Sequence, residues 1–212
     1  MRHVRSLVLI NVAVLGLTAG AHAEDQPVQD QPVQAVWKRQ EIDFFYQGFS
    51  TFYTCDGLEQ RVETILKGLG AKDVKAIATG CFGNEVTRSP HVRIVAKTPV
   101  EATPEVLAEL EKGKTQRELA ARVRGERPEE VTAQFPATWK RVSLSPGKLG
   151  IQSGECELIE ELQRKVFPKL GIRIVKDQTS CIPRQHNVGQ PRLEVEALMA
   201  LPSPDENKEK SS

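Results

Sequence analysis

Four cysteines stand where chemistry is possible: Cys55, Cys81, Cys156 and Cys181. None belongs to a Cys-x-x-Cys pair, so the motif of a thioredoxin-like redox site is missing. Beyond residue 23 the chain has two histidines, His91 and His186. Two histidines and four cysteines at these distances make no zinc-binding pattern. Disulfide formation is the chemistry that remains, and four cysteines allow three pairings.

Both histidines fall in polar stretches that follow a cysteine, each with an arginine close by. Gly83–His91 carries Arg88 and His91, and Pro183–Arg192 carries Arg184 and His186. Loops at the end of a sheet where helices begin attract anions, and arginine adds bidentate donors. Arg88, His91, Arg184 and His186 are therefore the candidate ligand-binding set, either for a small anion or for a hydrolase assembled at that end. Against this, loops are polar as a rule, and His91 also reads as the first residue of a strand. Ser89, Ser145, Ser153 and Ser180 lie in no Gly-x-Ser-x-Gly context. The carboxylates sit mostly on charged helix faces, and no glycine-rich phosphate loop occurs. No catalytic residue, metal or cofactor is assigned.

The compartment is written at the N-terminus. Met1–Arg5 is basic, Leu7–Ala21 is uncharged and apolar, and Ala21-His22-Ala23 places small residues at the two positions a signal peptidase reads. Residues 1–23 are expected to be a secretory signal peptide. The apolar run is shorter than the ~20 residues a spanning helix needs. No later stretch is longer, so no transmembrane segment is expected in the mature chain. A periplasmic or secreted location makes disulfides the default state of paired cysteines. Across 212 residues, 29 Lys and Arg balance 28 Asp and Glu. That balance lacks the electrostatic footprint of a nucleic-acid binder.

The elements that must position the cysteines repeat along the chain. Trp37-Lys38-Arg39 recurs as Trp139-Lys140-Arg141, Cys55 as Cys156, Leu69-Gly70 as Leu170-Gly171 and Cys81 as Cys181. The offsets are 102, 101, 101 and 100 residues. After the first cysteine of each copy comes an amphipathic helix, with Leu58, Val62, Ile65, Leu66 and Leu69 on one face in the first copy and Ile159, Leu162, Val166 and Leu170 in the second. Gly70 and Gly171 stand where a helix end favours glycine, and Pro168 is expected to end or bend the second helix early. Strands follow at 73–79 and 172–176. Alternating strands then run through Val92, Ile94 and Ala96 and through Leu193, Val195 and Ala197. A further strand precedes each helix: an aromatic one within Phe44–Tyr53, and Arg141–Leu144 followed by a turn at Ser145–Lys148 and Leu149–Ile151.

The expected fold class is α+β: two tandem pseudo-repeated β-α-β-β modules joined by a helical linker, with one disulfide per module. A right-handed crossover makes the strands flanking each helix parallel. Both cysteines of a module then lie at one end of the sheet, which selects Cys55–Cys81 and Cys156–Cys181. Each bridge closes a loop worth roughly 3–3.5 kcal/mol in the chain-entropy account. The expected layout is a signal peptide (1–23), a tether (24–36) holding the tandem Asp-Gln-Pro-Val-Gln, module 1 (37–100), a helical linker (101–137), module 2 (138–202) and a polar tail (203–212). In the linker, Pro104 suits a first helical turn after Thr103, and Thr115-Gln-Arg-Glu118 reads as a capping box opening a second helix. Trp37 and Trp139 read as core anchors rather than a recognition surface. The aromatic cluster reads as buried against the linker, with an exposed groove as the alternative.

Gly48–Leu58, Gly154–Leu158 and Cys181–Gln185 resemble a group of exported proteobacterial proteins to which no activity is assigned. The resemblance covers most of the mature chain. It implies export and a two-module layout, and nothing about catalysis. The function expected from the residues is that of an exported, non-enzymatic binding or interaction protein, with an unidentified protein or envelope component as partner.

Overall fold

The computed structural model describes residues 31–83, 85–125, 130, 132–152, 154–179, 181 and 191–202. Among the described residues ten elements follow one another: β1 Val33–Phe45, α1 Cys55–Gly68, β2 Lys72–Thr79, β3 His91–Glu101, α2 Pro104–Lys112, α3 Lys114–Val123, β4 Phe135–Leu144, α4 Cys156–Lys165, β5 Arg173–Asp177 and β6 Leu193–Ala200. The strands form one six-stranded antiparallel sheet in the order β2-β3-β1-β4-β6-β5. Each half is a β-α-β-β module. β1 and β2 are parallel to each other but separated by β3, and β4 and β5 are separated likewise by β6.

Local chemistry accounts for α1. Thr54 accepts the Gly57 N–H at 3.1 Å and caps the helix start. At the other end Gly70 adopts φ +87°, with Gly70 N–H bonding Lys67 O (3.0 Å) and Ala71 N–H bonding Leu66 O (3.1 Å). This is the paired closure that needs a residue free to turn left-handed. The second module ends its helix in the same way: Gly171 N–H bonds Pro168 O and Ile172 N–H bonds Phe167 O. Pro168 has no N–H to give, and just before it Val166 and Phe167 both donate to Leu162 O at 2.9 Å. Regular helix therefore stops at Lys165, and a looser turn carries the chain to the glycine.

Four sequence expectations need correction. β1 begins at Val33, inside the segment read as tether, because Val33–Ala35 pair with β4 and Ala35 and Val36 are fully buried. β3 runs on to Glu101 and β4 starts at Phe135, so the strands reach into both ends of the linker. Thr115 caps nothing: α3 starts at Lys114, and Gly113 before it stays helical (φ −89°, ψ −1°), leaving no extended residue from which a side chain could cap. The aromatic strand ends at Phe45, and Leu149–Ile151 forms a turn closed by Gly147 N–H to Ile151 O at 2.9 Å.

Both expected disulfides are present. Cys55 and Cys81 have Cα atoms 5.9 Å apart, and Cys156 and Cys181 5.6 Å. Such bridges belong to oxidising compartments, so the protein is non-cytoplasmic. Among the described residues no helix is long and apolar enough to cross a membrane. The β2 edge of the sheet is closed by its own helix, where Glu59 and Glu63 accept the N–H groups of Ala78 (2.7 Å) and Ala76 (3.1 Å).

The modules share one hydrophobic core. Ile42, Phe44 and Leu58 of the first belong to the same buried cluster as Leu144, Leu158 and Val195 of the second. β1 and β4 pair over three residues only, Val33–Ala35 against Phe135–Ala137, and leave this joint in opposite directions. The loops that follow them nevertheless meet, with the Thr51 hydroxyl donating to Gly154 O. The sheet therefore coils strongly. Glu157, 7% exposed on the first turn of α4, fastens the two halves. Its carboxylate accepts the backbone N–H groups of Phe49, Ser50 and Thr51 at 2.9–3.2 Å. Leaving such donors unmet costs about 1–3 kcal/mol each, less where water can reach them. Glu157→Ala is expected to lower unfolding stability by about 2–3 kcal/mol in urea denaturation, and Glu157→Gln, which keeps one acceptor oxygen, by about half of that. A loss below about 0.5 kcal/mol for the alanine variant would show that this carboxylate does not hold the modules together.

Candidate functional site

A pocket of about 320 Å³ lies where the helices of both modules end. The same stretch of each module supplies one wall: Leu69 and Ala71 from the first, Leu170, Gly171 and Ile172 from the second. The ends of β3 and β6 supply the rest, through Thr98–Glu101 and Ala197–Leu198, and Trp139 of β4 completes the lining. Both α1 and α4 close with a turn at glycine, and the residues at and after the two turns line the pocket together. The lining is almost wholly apolar, and the volume lies in the range of small-molecule sites.

Polar groups gather at the mouth. The Trp139 Nε1–H donates to Glu101 Oε1 at 2.8 Å. The Arg173 guanidinium lies 3.6 Å above the Trp139 ring and 3.8 Å from the same Glu101 oxygen. Thr98, buried in the wall, accepts from Gln40 Nε2 at 2.7 Å. The first module repeats the stack, with Lys72 Nζ 4.8 Å from the centre of the Trp37 ring. Trp37 also stacks on Phe135, their centroids 4.8 Å apart. Both tryptophans are half-buried at the joint and stand outside the main core, where Trp139 packs on the small cluster of Ala35, Ala137 and Leu198.

The loop-end residues take separate partners. Arg88 is exposed, its guanidinium 5.2 Å from the Phe52 ring, and lines a depression with Gln47, Gly48, Phe49 and Ser89. His91 does not line that depression. It opens β3, where its Nε2 is 3.2 Å from Asp43 Oδ1 and its ring is 4.9 Å from Phe45. Arg184 and His186 lie outside the described residues. Cys156, Glu160 and Cys181 converge within 4.8 Å, but the two sulfurs are joined to each other, so neither is a thiolate ligand. Burial lifts the Glu160 carboxyl above the usual carboxylate range.

The aromatic segment divides. Phe44 and Tyr46 are buried, whereas Phe45 and Phe49 are more than half exposed. The buried part packs with α1 and α4 residues in the main core rather than with the linker helices. Tyr46 donates to Thr51 O (2.7 Å) and meets Tyr53 edge-on at 5.4 Å. Tyr53 donates to Glu155 Oε1 (3.1 Å), and the Arg61 guanidinium is bonded to both oxygens of that carboxylate. Hydrogen bonding to Glu155 raises the Arg61 guanidinium further above its ordinary value. These groups fasten the modules.

Comparison with protein-family models, with curated proteins and with solved structures gave no match. The chemistry of the pocket is therefore read from its geometry. Sequence reasoning missed Thr98, Glu101 and Arg173. One signal was available: Lys72 and Arg173 each stand two residues after a helix-ending glycine, at the offset that relates the other landmarks.

Burial, followed by the nearby glutamates, raises the phenols of Tyr46 and Tyr53 well above their ordinary value of 10. These are the only two tyrosines of the chain. The folded state then keeps protons that the unfolded state loses, so stability falls as pH rises above about 10. Absorbance at 295 nm is expected to show no phenolate step near pH 10, with tyrosine ionisation appearing only together with the loss of circular dichroism. A full step in the folded protein near pH 10 would refute this burial.

Proposed function

We propose that this is an exported, non-enzymatic binding protein of the cell envelope, acting in the periplasm or after secretion, that holds a small apolar ligand in the pocket between its modules. The observation that carries this reading is the pocket itself: a mainly apolar chamber built from residues of both halves, with its charged groups, Glu101 and Arg173, at the mouth. Its lining offers a binding surface and little with which to make or break bonds. The Glu101 carboxylate is engaged by Trp139 and Arg173, and the Thr98 hydroxyl lies against Gln40. A general base or nucleophile must be within hydrogen-bond reach of a partner that activates it.

Export is supported by the three-part N-terminal pattern and by the two disulfides. The two modules read as copies of one unit. The matched helix ends, the matched disulfides and the two cation–tryptophan stacks support that reading.

Two measurements test the proposal. Expression of the whole chain in a Gram-negative host, with mass spectrometry of cell fractions, is expected to find a chain beginning at Glu24 outside the cytoplasm. An intact Met1 terminus confined to the cytoplasm would overturn the export reading. The neutral fluorophore N-phenyl-1-naphthylamine is expected to brighten with the protein and to be lost at least tenfold in affinity in Val100→Phe, which fills the pocket from the half-buried end of β3. Equal binding by the two proteins, with circular dichroism unchanged, would place the fluorophore elsewhere and remove the support for a pocket ligand.

A further inference from the structure

We infer that the pocket takes an anionic amphiphile, an apolar chain whose carboxylate or similar head is gripped by Arg173 on the face of Trp139. This rests on the reading of the pocket as a ligand site and names the chemistry it selects. Stacking at 3.6 Å covers one face of the guanidinium and leaves its N–H groups pointing outward in the plane of the group. Those in-plane donors match the two oxygens of a carboxylate. Glu101 stands at 3.8 Å, outside hydrogen-bond reach, so it orients Arg173 without using its donors.

Glu101 is the competing anchor, for a cationic head. Its Oε1 already takes the Trp139 N–H at 2.8 Å and faces the Arg173 charge. An incoming cation would also have to share that carboxylate with Arg173 and would be repelled by it. A guanidinium offers five donors, so Arg173 keeps the larger unused capacity. Arg173 is also the one cation among the described residues that line the pocket, and its side chain is 58% exposed at the mouth. A head group is thereby held at the solvent side while the chain passes inward toward Leu69 and Leu170. The volume of about 320 Å³ lies in the range of small-molecule sites and admits such a chain.

The test uses three ten-carbon probes below their micelle concentrations: decanoate, 1-decanol and decyltrimethylammonium, titrated calorimetrically into the whole mature protein. Decanoate is expected to bind at least tenfold more tightly than decanol. Arg173→Ala is expected to remove that advantage, lowering the decanoate-to-decanol affinity ratio at least tenfold. Arg173→Lys is expected to keep part of it, since an ammonium supplies the charge without the fork. Equal affinities for decanoate and decanol, an unchanged ratio in Arg173→Ala, or tightest binding of the ammonium probe would each overturn the inference while leaving an apolar pocket in place. Failure of all three probes together with N-phenyl-1-naphthylamine would instead overturn the pocket reading on which it rests. Arg173 lies at the surface of an edge strand, and unchanged circular dichroism shows that its variants keep the fold.

Discussion

Each module completes the core of the other. Units of this size bury a smaller share of their surface than larger domains do and are marginal on core burial alone. Here the buried cluster runs without a break from Ile42 and Leu58 to Leu158 and Val195. Everything else follows from that shared core. The helices must lie on the same side of the sheet, the sheet must coil to keep both on it, and the loops at the far end must meet. The disulfides act inside each half, at the helix starts, and leave the joining to packing and to polar contacts.

Those polar contacts are demanding. Glu155 and Glu157 are almost fully buried between the modules, and buried charge is tolerated only when its oxygens are satisfied. Arg61, Tyr53 and the amides of Phe49, Ser50 and Thr51 satisfy them. A sliding or rotation of one module would strand these carboxylates, so they fix the relative placement that packing alone would leave loose. At the opposite end the same placement leaves the helix ends apart, and the pocket is the space between them.

Much of the architecture could be read from residue order. Matched tryptophans, cysteines and Leu-Gly steps announced two similar units, and helix-ending glycines and alternating strands placed their elements. The disulfide pairing followed from the parallel strands of the crossover. What escaped was set by distant partners. Val33–Val36 looked like more of a Pro/Gln tether, since its strand character depends on distant partners: Phe135 pairs with Ala35 and Ala137 with Val33, 100 and 104 positions away. The division of the aromatic segment into buried and exposed rings depends on α4 and its glutamates. Thr115 had the right neighbours for a cap but follows a glycine that never leaves the helix. The pocket was the least legible feature: Glu101 and Arg173 belong to different modules, and their encounter exists only through the joint. Arg88 and His91, close in sequence, point to different neighbours because one lies in a loop and the other is paired into a strand.

The three-residue joint between β1 and β4 has a further consequence. Val33 faces Ala137 and Ala35 faces Phe135, with Gln34 opposite Pro136 between them. Exchanging each residue for its counterpart in the other module returns the same set of pairs, which is the self-complementary contact of a two-fold dimer. In a true homodimer a chamber on that axis would have to present identical groups at both mouths. A single chain is released from that obligation. Here an arginine stands on one tryptophan and a lysine on the other, and only one of these cations reaches the chamber. The pairing at the joint is symmetric, and the pocket beside it is not, so its two sides present different groups to the space between them.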